Sequence, residues 1–160
     1  MQEQIAHLTH LDKDKKARMV DVAGKTVTER IAIAQAIVIF PEEVYLLLHK
    51  DNFLNHKGSI IQTASLAGIM AAKQTSYLIP LCHPLPLSNI QIDITIETNR
   101  LRIEALVRCE AKTGVEMEAL TAASIAALTI YDMCKALSHE ITVSEIKLMK
   151  KEGGKHAFQR

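Results

Sequence analysis

Three short runs of this sequence set proton-exchanging or anion-holding side chains at spacings that could do chemistry. In the first, Asp132 and Lys135 stand three residues apart. On a helix that spacing makes them neighbours on one face. A lysine held beside a carboxylate, with partial desolvation, is a plausible acid/base group. On a solvated face the same pair is a surface ion pair of small energy. The second run is Glu116-Met117-Glu118, just after Lys112-Thr113-Gly114. Two acids near a helix start can favour the positive end of the dipole, or can face different walls of a cleft. The third is Leu81-Cys82-His83-Pro84. Three of the four prolines fall between Leu78 and Leu87, so His83 stands in a stiff apolar loop. Rigidity of that kind can aim an imidazole into a pocket. A packed, hydrogen-bonded structural histidine is the simpler reading.

A scatter of cations completes the set: Arg30, Lys57, Lys73, Lys147, Lys151 and Lys155. Each alone reads as a solvated surface charge. Lys57-Gly58-Ser59 differs in context, because it precedes a helix start, a natural anion site. Lys151 and Lys155 flank Gly153-Gly154, whose backbone could approach a phosphate. Neither the Walker spacing nor the dinucleotide glycine fingerprint is present.

These residues need elements to position them. Residues 1–17 carry many charges and no period, and read as a flexible arm. Strand material is expected from Met19 to Phe40, broken at Gly24. Pro41 opens a short helix to about Lys50. Asp51 to Gly58 reads as a polar loop, and Ser59 as the cap of a helix reaching about Tyr77. Leu78 to Leu87 is an irregular crossing. Asn89–Thr98 and Leu101–Cys109 alternate and predict a β-hairpin with one buried face. Val115 to about Ser138 is helical, and Ile141 to Lys150 returns as a strand. On that long helix Glu118 and Asp132 fall within about 40° of each other, and Lys135 about 60° further on. Residues 18–150 read as one α+β domain, with helices on one face of a mostly antiparallel sheet. Residues 151–160 read as a mobile tail.

Composition bounds the rest. The chain has 160 residues, 48% hydrophobic and 23% charged, a balance that suits one globular domain. Aromatics make up only 4%, so the core rests on small aliphatic residues, which favours extra burial by self-association. A net charge of +1 argues against a bulk nucleic-acid binder. Cys82, Cys109 and Cys134 are odd in number and form no CxxC pair, so free thiols in a reducing cytosol are expected. No signal peptide is visible, and the longest apolar stretch, Ile31 to Phe40, is too short to span a bilayer. A cytoplasmic protein is expected, with neither membrane nor nucleic-acid partners.

Longer runs then become specific. The stretches 78–85, 112–121 and 127–136, with Met19-Val20-Asp21-Val22 and His56-Lys57-Gly58, resemble the molybdenum-cofactor biosynthesis protein C family over about residues 8–155. The resemblance implies a ferredoxin-like α+β fold and a homo-hexamer, a trimer of dimers with active sites at subunit interfaces. It implies a lyase, cyclic pyranopterin monophosphate synthase, acting on 3′,8-cyclo-7,8-dihydro-GTP. It implies substrate-binding roles for Arg30, Lys57, Cys82, His83, Glu116, Met117, Glu118 and Lys151, and a catalytic pair in Asp132 and Lys135. No resident cofactor or protein-held metal is implied; magnesium carried by a triphosphate is left open. The tail departs from the family's pattern, since Glu152 and His156 stand where small polar residues are usual. The competing expectation is a non-catalytic oligomeric nucleotide-binding module. A metal enzyme using Cys82, His83 and His56 lacks ligand spacing.

Overall fold

The computed structural model describes residues 14–160. Most of the arm expected over 1–17 therefore lies outside the described residues. The elements are β1 (Thr28–Ile39), α1 (Glu42–Lys50), β2 (Leu54–Asn55), β3 (Gly58–Ser59), α2 (Ile60–Lys73), α3 (Thr75–Leu78), β4 (Leu87–Glu97), β5 (Arg100–Ala111), α4 (Glu116–Cys134), β6 (Thr142–Glu152) and β7 (Phe158–Gln159). Five strands form one antiparallel sheet in the order β4-β5-β1-β6-β7. Helices α2 and α4 pack together and against the sheet, giving the expected α+β, ferredoxin-like architecture.

Alternation sets the buried face. Ala32, Ala34, Ala36 and Val38 of β1 are fully buried, as are Leu101, Ile103, Ala105 and Val107 of β5. Small residues on β1 face an equally small-sided helix. Along α4, Ala119, Ala122, Ala123, Ala126 and Ala127 are all inaccessible. Gly68 lets α2 approach α4 closely, since a Cβ there would sit 3.0 Å from the Ala122 carbonyl oxygen. Close approach offsets the small area of each side chain by dense packing. The alternating isoleucines of β1 fall out of register with that face, and Ile39 is exposed.

Three local expectations are corrected. Residues 18–27 form no ladder strand. Asp21 Oδ1 accepts from the Ala23 amide at 2.8 Å and the Lys25 amide reaches the Val22 carbonyl, so turn chemistry overrides β propensity. The loop 51–58 contains the two-residue strands β2 and β3. The helix expected to run to Tyr77 is interrupted at Gln74, where Thr75 Oγ1 donates to the Ala71 and Ala72 carbonyls. That bond competes with helix continuation. The Ser59 cap is present, accepting from the Gln62 amide at 3.2 Å. In the tail, Lys151 and Glu152 complete β6, and Phe158–Gln159 pair back on Lys150 and Lys151. No described helix is long and apolar enough to cross a membrane.

Candidate active site

Antiparallel order brings the start of β1, the ends of β5 and β6 and the N-terminus of α4 to one end of the sheet. Arg30 lies opposite Cys109, and Ala32 opposite Lys151. Lys151 Nζ donates to Glu116 Oε1 at 2.9 Å, tying β6 to α4. A side chain on Gly114 would overlap the Glu116 carboxylate, so the turn before α4 must be bare for this pair to form. Arg30 donates through Nε to the Ala111 carbonyl at 3.2 Å and through Nη1 to the Gly153 carbonyl. Lys112 Nζ donates to the Ala23 carbonyl at 2.7 Å.

Two cavities meet here. The larger, about 720 Å³, is lined by Lys25, Arg30, Lys112, Lys151 and Lys155, with only Glu116 and Glu152 opposing them in charge. That excess of cations suits a multiply charged anion. The smaller, about 280 Å³, is lined by Val20, Cys82, His83, Met117 and Glu118. Lys25, Thr113, Gly114 and Glu116 line both, so they form the shared wall.

The smaller cavity is apolar enough to change acidity. Glu118 is 4% exposed. Burial raises its carboxyl to about 7; a backbone hydrogen bond opposes this and the Glu116 charge adds to it. Near neutral pH such a group exists in both protonation states, as an acid/base group must. Burial, then the Glu118 charge, raise the Cys82 thiol and push Cys109 up to about 11, Arg30 opposing the latter. These are free thiols rather than thiolates. His83 Nε2 stands 2.8 Å from the Val20 carbonyl. A carbonyl only accepts, so Nε2 carries the hydrogen, and a neutral ring leaves Nδ1 as acceptor.

A second cluster forms at the far end of α4. Lys135 Nζ donates to Asp132 Oδ1 at 2.6 Å. The side chains are 53% and 60% exposed. Asp132 is lowered by the Lys135 hydrogen bond and charge, with a lesser contribution from Lys57. Lys57 comes within range because Asn55, in the β2–β3 hairpin, donates to the Met133 carbonyl at 3.2 Å and accepts from the Lys57 amide at 2.8 Å.

The MoaC family profile matches residues 19–154, which include both clusters. This chain belongs to the MoaC family. It is also 50% identical over 157 residues to molybdenum cofactor biosynthesis protein 1 of Drosophila melanogaster, a match covering 97% of this chain and 27% of that protein. The chain thus spans about a quarter of the length of that curated relative.

In this MoaC chain, Arg30, Cys82, His83, Glu116, Met117, Glu118 and Lys151 converge on the joined cavities. Lys57, Asp132 and Lys135 do not. Asp132 follows Glu118 by fourteen positions, about 21 Å along the helix axis. Sharing a stripe of a helix wheel therefore did not bring them together. Lys135 is not desolvated either: Asp132, by hydrogen bond and then charge, raises its pKa, against the expected partial burial. Sequence reasoning missed Lys25 and Lys112 as cavity cations and the backbone carbonyls that anchor Arg30 and His83. The Arg30 anchor follows from the register of β1 and β5, and the others from where the 18–27 segment folds back on the site.

Proposed function

We propose that this chain is a cyclic pyranopterin monophosphate synthase of molybdenum-cofactor biosynthesis. It converts 3′,8-cyclo-7,8-dihydro-GTP to cyclic pyranopterin monophosphate and pyrophosphate. The observation that carries this reading is the joining of a cation-lined cavity to a smaller one lined by Glu118, a buried acid whose carboxyl burial raises to about 7. A triphosphate fits the first and a purine-derived ring the second. Lys151 and Arg30 would neutralise charge as the cyclic phosphate closes and pyrophosphate leaves. Glu116 and Glu118 would hold the ring and carry protons during its opening and re-closing, with Cys82, His83 and Met117 shaping the walls.

Lys135, oriented by Asp132, is the main general acid/base in this reading, and Lys57 a further cation. Because they cluster at the far end of α4, where Asp132 is about 21 Å along the axis from Glu118, they serve the cavities of a neighbouring copy. The working enzyme is then a homo-hexamer, a trimer of dimers, with each site shared between subunits. In that setting Lys135 loses the solvation it has in one chain, which would lower its basicity towards a useful range. Magnesium would enter, if needed, on the triphosphate.

The test is incubation of purified protein with 3′,8-cyclo-7,8-dihydro-GTP, assaying pyrophosphate and the pterin product. Both should form, and Lys135→Ala should lose both. Tight binding without turnover in wild type would replace the synthase by a nucleotide-binding module.

A further inference from the structure

Arg30 commits two of its side-chain donors to backbone carbonyls far apart in the chain. Its guanidinium bridges the last carbonyl of β5, at Ala111, and the Gly153 carbonyl in the loop between β6 and β7. The loop can sit there only because it is bare. Gly153 has φ of +78°, in the left-handed region, and a Cβ on it would overlap the Glu29 carbonyl oxygen. At Gly154 a Cβ would meet only the movable end of the Arg30 side chain, so Gly153 is the position that fixes the loop. The next residues, Lys155 and His156, line the larger cavity. β7 then returns, with the Arg160 amide donating to Met149 at 2.9 Å.

We infer that Arg30 is a positioning residue: its fork docks the Gly153–Gly154 loop and so delivers Lys155 and His156 as the roof of the anion cavity. Of the five guanidinium N–H donors, one anchors the fork to the end of β5 and one holds the loop, so the loop is fixed relative to the sheet. A lysine would supply equal charge but not two donors in a fixed plane. The role differs from that of a simple phosphate-binding cation, which any positive side chain fills. Its effect on catalysis rests on the proposed synthase reading; the docking itself does not.

Two variants separate the ideas in the full-length chain. Arg30→Lys keeps the charge and removes the fork. Gly153→Ala keeps Arg30 and blocks the dock, because its Cβ would meet the Glu29 backbone at a left-handed φ. Trypsin cleavage after Lys155, followed by mass spectrometry without ligand, reads whether the loop is seated. Both variants should be cut on the order of tenfold faster than wild type, a change of about 1.4 kcal/mol in docking. Thermal melting should show that the sheet persists. With 3′,8-cyclo-7,8-dihydro-GTP, both should raise KM more than they lower kcat. Wild-type cleavage in Arg30→Lys would overturn the inference, because charge alone would then suffice. Wild-type cleavage in Gly153→Ala would overturn it too, because the dock would not need bare backbone. If wild type turned over no substrate, the synthase reading would fail while the cleavage comparison still decided the docking.

Discussion

The two ends of α4 carry the same kinds of residue and treat them in opposite ways. At the N-terminal end Glu118 is buried, and its carboxyl is lifted to about 7. At the C-terminal end Asp132 and Lys135 stand in water, each stabilising the other's charged form. One end is built within the chain, with two joined cavities and the Gly153–Gly154 loop against the larger. The other offers an ordered ion pair that lines neither cavity. The difference teaches that acid/base character comes from surroundings as much as from residue type. An exposed carboxylate–lysine pair gains tuned basicity only when something covers it.

The largest effect that could break this comparison is on turnover. Lys135→Ala should lower kcat on the order of 100-fold or more, while the fold of each chain keeps its stability in denaturant titration, because within one chain the pair is exposed. A fall in stability of similar weight would mean that the C-terminal end is structural. Glu118→Gln sharpens the other side. The folded carboxyl titrates near 7 and the unfolded one near 4.5, so between these values the native state binds more protons. Wild-type stability should therefore fall as pH rises from about 4.5 through 7, then level off. Glu118→Gln should flatten that slope and gain up to about 3 kcal/mol at pH 8, as denaturant titration at both pH values would show. A parallel pH profile in wild type and variant would remove the buried acid from the account. Smaller again, Ser59→Ala should cost about 1 kcal/mol by losing the α2 cap. It should weaken substrate binding through Lys57 more than it alters Glu118.

Much of the fold was legible. The β4–β5 hairpin, the cap at Ser59 and the two long helices follow from period and capping chemistry in the sequence. Local competition was less visible: the Asp21 turn and the Thr75 back-bonds each displaced a pattern that looked regular. The long helix also misled. Angular position on a wheel is readable from sequence, but the axial distance between Glu118 and Asp132 decides whether they meet. The cluster around Glu116 was readable as residues, and its pairing with Lys151 was not, since that depends on which strand β6 joins. The Arg30 dock was hidden for the same reason, although Gly153-Gly154 marked the place where bare backbone is needed.

The central claim is that the two ends of α4 work together only between copies. Lys151→Ala and Lys135→Ala chains should each fold and each lack turnover of 3′,8-cyclo-7,8-dihydro-GTP. Unfolded together and reassembled, they should regain turnover, because some interfaces then combine an intact cavity from one chain with an intact Asp132–Lys135 pair from the other. Absence of recovery at every mixing ratio, in assemblies shown to contain both chains, would contradict the shared site.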